Sequence, residues 1–152
     1  MSNPQTTATK PSPAGRVLLA EDDAAMRTLL ACRLRRAGFE VVEAGNGVEA
    51  LERLACASRD APTTFDVVVS DIRMPGYDGF NIVASLRQTA ADLPVILITA
   101  FGTMTTHVTA ARLGAYAILD KPFDLDDLMS LVTAAARARA RWALPAQGTG
   151  GP

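Results

Sequence analysis

Five short apolar runs, each followed by a stretch with helical spacing of apolar residues, constrain this chain more than any other feature. Residues 16–20 (RVLLA), 39–43, 65–70 (FDVVVS), 94–98 (PVILI) and 116–119 read as strands. Between them, residues 23–37 carry Met26, Leu29, Leu30 and Leu34 on one helical face, and residues 48–57 carry Val48, Leu51 and Leu54. Further helices are expected over 80–89, 103–113 and 124–142. Gly38 and Gly114 close the first and fourth, and Asp124 stands as N-cap of the fifth. Several strands are continuous apolar runs rather than alternating ones. Such strands are buried on both faces, which requires a parallel sheet covered by helices on both sides. The expected fold is therefore α/β, a doubly wound (βα)5 with one five-stranded parallel sheet.

The same pattern sets the organisation of the chain. Residues 1–15 are rich in Ser, Thr, Pro and Gly and are expected to be disordered, as is a tail over 143–152. One domain, 16–142, lies between them, with no internal repeat. The N-terminus has no apolar signal-peptide core, and no apolar run approaches the roughly 20 residues of a membrane span. The two cysteines, Cys32 and Cys56, have no CxxC spacing and no nearby His, so they read as plain thiols in a reducing compartment. With 15 Lys and Arg against 16 Asp and Glu, the charge balance argues against a broad nucleic-acid or anionic-membrane footprint. These observations together lead us to expect a cytoplasmic protein with no membrane contact and no direct nucleic-acid contact from this chain.

In open parallel sheets, ligands sit beyond the carboxyl ends of the strands, near the point where strand order reverses. The residues there are Glu21, Asp22 and Asp23 after the first run, Ser70 and Asp71 after the third, Thr99 after the fourth, and Asp120, Lys121 and Pro122 after the fifth. Each has an ordinary explanation alone: an N-cap for Asp22 or Asp23, turn chemistry for Asp71 before MPGYDG, a strand end for Thr99, a solvated loop for Lys121. Together, Glu21, Asp22, Asp71, Thr99 and Lys121 would converge on one pocket. Crowded carboxylates repel and call for a cation, and an all-oxygen set suits Mg²⁺. A carboxylate can serve as nucleophile toward a phosphoryl group, while an ammonium and a hydroxyl hold the transferred oxygens.

At these residues the sequence resembles the receiver domains of bacterial response regulators, whose fold is flavodoxin-like. The matching strings are VLLAEDDAAMR, FDVVVSDIRMPGYDGF, LPVILITAFG and GAYAILDKPFDLDDL, covering residue 16 to about 141. TAFGT and DKPFD are most similar to receivers that precede enhancer-binding transcription activators. The resemblance implies that Asp71 is the phosphoacceptor. It implies that Glu21, Asp22, Asp71 and the backbone carbonyl of Arg73 hold Mg²⁺, with the Arg73 side chain mattering less. Thr99 and Lys121 would contact the phosphoryl group, and Lys121-Pro122 would be a cis peptide. The phosphodonor would be a histidine kinase or a histidine phosphotransfer protein. The face of the fourth helix, fifth strand and fifth helix would serve a partner or a homodimer. The chain would thus be a phosphoryl-accepting switch rather than an enzyme acting on other substrates.

Ile118 occupies a position where many receivers carry Tyr or Phe, with Tyr116 two residues earlier on the same face. Activation is accordingly expected to move residues 101–105 and the start of the fourth helix with little rotation at Ile118. His107, within the fourth helix, is expected to be a solvated side chain. An aspartyl phosphatase is disfavoured because Arg73 stands where such enzymes carry a second Asp, and a direct DNA-binding role is disfavoured because no helix-turn-helix segment follows residue 142. ARARARW in the last helix reads as a solvated face.

Overall fold

The computed structural model describes residues 13–59 and 64–143. Its elements alternate throughout: β1 (Arg16–Ala20), α1 (Ala24–Arg36), β2 (Glu40–Ala44), α2 (Gly47–Arg59), β3 (Val67–Asp71), α3 (Gly79–Thr89), β4 (Val95–Thr99), α4 (Met104–Leu113), β5 (Ala117–Asp120) and α5 (Leu125–Ala143). The five strands form one sheet in the order β2-β1-β3-β4-β5, and every pairing is parallel. This is the doubly wound α/β fold that the apolar runs call for. Most of the leader (1–12), the tail (144–152) and most of the expected loop (60–63) lie outside the described residues. Ala14 and Gly15, grouped with the leader on composition, are tied to the body: the Ala14 N–H donates to the Gly38 carbonyl and the Gly15 carbonyl accepts from Glu40.

The strands divide their side chains between two cores. Val17, Leu19, Val67, Val69, Ile96 and Ile98 pack with Leu30 and Leu34 of α1 and with Leu128 and Val132 of α5. Leu18, Ala20, Val68, Val95 and Leu97 face the other way, against α2, α3 and α4 through Leu54, Ile82, Val83, Leu86 and Ala110. Alternate residues of one strand thus reach opposite layers, as the pleat dictates. Every residue of β3 and β4 is buried, while β5 at the sheet edge is only partly so.

The helix ends follow the local chemistry. Asp23 caps α1 by accepting the Met26 N–H, worth about 1 kcal/mol for such a cap. Asp78 and Asn81 form a reciprocal capping box on α3, and Thr103 caps α4. Asp124 Oδ1 accepts the Asp126 N–H at the start of α5, in keeping with the expected N-cap. Gly114 ends α4 in the left-handed conformation (φ 87°).

β1 ends where its apolar run does, while β2 to β5 each run one residue further toward their carboxyl ends than expected. Ser70 and Asp71 are inside β3, Thr99 is the last residue of β4 and Asp120 the last of β5. Hydrogen-bond register, not side-chain polarity, sets a strand's end. The polar residues therefore sit on rigid backbone rather than in the following loops.

Gly79 shows how tightly that backbone is held. Its N–H donates to the Ile72 carbonyl, folding the β3–α3 loop back on itself, and a Cβ there would lie 2.8 Å from the Asp71 carbonyl oxygen. Gly79→Ala should therefore displace the end of β3 and lower stability by about 1–3 kcal/mol, the usual cost of overpacking. Equilibrium urea unfolding measures this, and an unchanged midpoint would show that the junction can relax.

Candidate functional site

Strand order reverses at β1, which has β2 on one side and β3 on the other. Because Ala20 pairs with Ser70, the residues just beyond β1 meet the end of β3. Glu21, Asp22 and Asp71 consequently offer carboxylate oxygens that all lie within 4.8 Å of one another. The choice between Asp22 and Asp23 is settled by the cap: Asp23 serves α1, and Asp22 belongs to the cluster. On the other side, Thr99 pairs with Asp120, and the Lys121 N–H donates to the Thr99 carbonyl at 2.7 Å. The Lys121-Pro122 bond is cis. All five residues expected in the pocket are thus gathered at one end of the sheet.

The electrostatics are unbalanced. Lys121 Nζ donates to Asp71 Oδ2 at 2.8 Å and reaches Glu21 Oε2 at 3.4 Å. Burial works against the Lys121 charge, but the hydrogen bond and the charges of Asp71 and Glu21 outweigh it and hold its pKa above the ordinary value. Glu21 is only 1% exposed and Asp71 7%. Burial, and then the charge of Asp71, push the Glu21 carboxyl from 4.5 up to about 7, against the opposing Asp23 N–H and Lys121. One ammonium therefore compensates three carboxylates incompletely, and the most buried of them holds a proton where an ordinary glutamate does not.

The rest of the site is polar and open. Asp71 Oδ1 accepts the Arg73 N–H at 3.1 Å. Thr99 is buried, and its Oγ1 accepts the Phe101 N–H at 3.1 Å, which leaves the hydroxyl proton available to another acceptor. Asp22, Arg73, Thr99, Phe101 and Thr106 line a cavity of about 570 Å³ beside the carboxylates.

Two features escaped the sequence reading. The Arg73 side chain is not idle: its guanidinium carbon lies 4.4 Å from the centroid of the Phe101 ring, joining the β3–α3 and β4–α4 loops at the mouth of the cavity. His107 is partly solvated as expected, with its side chain 38% exposed, but it also has a partner: its Nε2 lies 3.0 Å from both carboxylate oxygens of Asp120. Both pairs link residues far apart in sequence, so no local spacing announces them. Cys32 and Cys56 are free and exposed. Among the described residues, no helix is long and apolar enough to cross a membrane.

Comparison with known proteins agrees with this geometry. The family model of the response regulator receiver domain matches residues 17–133. The chain belongs to that family. The receiver is 43% identical over 123 residues to the C4-dicarboxylate transport transcriptional regulatory protein DctD of Pseudomonas aeruginosa, covering 81% of this chain and 25% of that protein. It is 40% identical over 118 residues to the DNA-binding transcriptional regulator NtrC of Escherichia coli, covering 78% of this chain and 24% of that protein. The receiver thus spans about a quarter of the length of these relatives. NtrC's name attaches DNA binding to a longer protein, so the expected lack of nucleic-acid contact does not extend to such regulators as wholes. Among solved structures, the receiver resembles the response regulator protein TrrA of Thermotoga maritima in complex with Mg(2+)-BeF, with a TM-score of 0.69, 29% identity and coverage of 80% of this chain and 98% of that one. A receiver domain of a response regulator is a signalling domain of two-component systems.

The raised Glu21 pKa has a defined consequence for the metal-free receiver. Between pH 4.5 and about 7 the folded protein keeps a proton that the unfolded chain has released. Folding stability should therefore fall as pH rises through that window. Glu21→Gln, which cannot ionise, should flatten this dependence. Urea unfolding in chelator-treated buffer at several pH values checks both, and a wild-type profile that rises between pH 5 and 7 would contradict it.

Proposed function

We propose that Asp71 is the phosphoacceptor of this receiver, loaded from a histidine of a partner kinase or phosphotransfer protein in a Mg²⁺-dependent reaction. The observation that carries this reading is the position of Asp71: last residue of a buried central strand, flanked by two carboxylates and hydrogen bonded to Lys121. An Asp71 carboxylate oxygen attacks the phosphorus, its new O–P bond replaces the N–P bond of the phosphohistidine, and the group is carried as an acyl phosphate. Lys121 is placed to hold a phosphoryl oxygen as a point charge, and Thr99 to donate its hydroxyl to another.

The donor set fits Mg²⁺: three carboxylates in mutual reach, no sulfur and no imidazole. Glu21, Asp22 and Asp71 would hold the ion, with the Arg73 backbone carbonyl as a further oxygen. TrrA, with a similar fold, is described in complex with Mg(2+)-BeF. Bound Mg²⁺ supplies charge neutralisation for the phosphoryl oxygens. The chain's own part is to fix the nucleophile on rigid strand backbone and to keep Lys121 charged beside it.

The receiver body is assigned to residues 16–142, acting in the cytoplasm, where its phosphodonor would be found. The likeness to NtrC and DctD supports a role as the regulated segment of a transcriptional regulator. Phe101, Met104 and Val108 are exposed apolar residues along the α4 side, which suits the α4–β5–α5 face as the surface for a partner or a second receiver.

Incubation with Mg²⁺ and acetyl phosphate, followed by intact mass measurement, tests the assignment. Wild type should gain one phosphoryl group and Asp71→Ala none. Lys121→Ala should react about a hundredfold more slowly, the scale of losing one group that stabilises a developing anion. Lys121→Arg should restore the rate only in part, since a planar fork replaces a compact charge. Undiminished labelling of Asp71→Ala would place the group elsewhere.

A further inference from the structure

The His107–Asp120 pair stands outside the site just described yet touches its supports. Asp120 is the last residue of β5, directly before Lys121, and pairs in the sheet with Thr99. His107 lies one turn into α4, with Nε2 equidistant at 3.0 Å from both Asp120 oxygens. The β4–α4 loop closes the third side: a Cβ at Gly102 would overlap Asp120 Oδ1 and come within 3.1 Å of His107 Nε2. The β4–α4 loop, α4 and the end of β5 thus interlock around one carboxylate.

We propose that His107 and Asp120 form a clasp that holds α4 and the β4–α4 loop in the present arrangement, and that occupancy of the Asp71 site opens it. This rests on the reading of Asp71 and Thr99 given above. The physical link is short. Thr99 Oγ1 holds the Phe101 N–H, and Phe101 directly precedes Gly102. A phosphoryl oxygen that draws the Thr99 hydroxyl toward Asp71 pulls on that N–H. The loop cannot follow without moving Gly102 away from Asp120. Thr103, the N-cap of α4, lies one residue further on, so the helix start moves with it. An interaction present in only one of two arrangements biases the equilibrium between them by its own free energy. The pair is partly solvated, with side chains 38% and 51% exposed, so its weight is that of an exposed polar contact.

The test is the affinity of the receiver for beryllium fluoride with saturating Mg²⁺, read by calorimetry. His107→Ala and Asp120→Ala should each tighten binding by about two- to fivefold, the scale of such a pair. The double variant should gain no more than either single one, because each removes the same contact. Gly102→Ala, whose Cβ would crowd both Asp120 Oδ1 and His107 Nε2, should act in the same direction. Unchanged or weakened binding in both single variants, or additive gains in the double, would overturn the clasp. Absence of any binding by wild type would instead overturn the reading of the Asp71 site, and the clasp with it. His107→Gln, which can still donate to Asp120, should lie between wild type and His107→Ala. Full equality with His107→Ala would show that the gain came from helix changes unrelated to the contact.

Discussion

The crowding of three carboxylates at the carboxyl ends of β1 and β3 is the interaction on which the rest of the structure turns. Each would be unremarkable in water. Here two of them, Glu21 and Asp71, are buried, and the lysine that reaches them supplies a single positive charge. The fold tolerates this because its two apolar layers supply stability independent of the site. On the proposed reading, the deficit of positive charge is what would make the site receptive to a divalent cation and, with it, to a phosphoryl group. The protonation of Glu21 near neutral pH is the same deficit seen from another side.

The supports of the cluster also connect it to contacts on the surface. Lys121 and Thr99 are held by adjacent strand ends, and each is one or two residues from a contact on the surface. From Thr99 the path runs to Phe101, whose ring lies under the Arg73 guanidinium, and to Gly102. From Lys121 it runs to Asp120 and His107. Ile118, on the strand between them, packs partly buried against the α2–α3–α4 core and has no hydroxyl to exchange with solvent. On the proposed reading, polar contacts at the loop and the start of α4, rather than a rotating aromatic ring on β5, would transmit the change.

Much of this was legible in the sequence, and for physical reasons. Strands buried on both faces leave unbroken apolar runs such as VVV and VILI, and a parallel sheet is the fold that buries strands that way. Once the sheet is parallel, residues following successive strands must share one end of it. Asp22, Asp71, Thr99 and Lys121 could therefore be grouped from spacing alone. The ends of β3 and β4 lie one residue beyond the expected ones, because Asp71 and Thr99 keep their ladder positions despite their polarity. The His107–Asp120 and Arg73–Phe101 contacts were out of reach. They depend on how two loops and a helix settle against one another, which no period within a single element encodes. His107 in particular gave no sign of its partner, thirteen residues away across a turn and a strand.

Calorimetric titration of the metal-free receiver with Mg²⁺, paired with thermal unfolding, tests the electrostatic account most directly. Asp22→Ala removes one of the three repelling charges, and with it one oxygen ligand. The account predicts opposite signs: weaker Mg²⁺ binding than wild type, and a higher unfolding temperature without metal as the repulsion is relieved. Unchanged Mg²⁺ affinity together with an unchanged or lower unfolding temperature would contradict it, because the three carboxylates would then be neither in conflict nor a cation site.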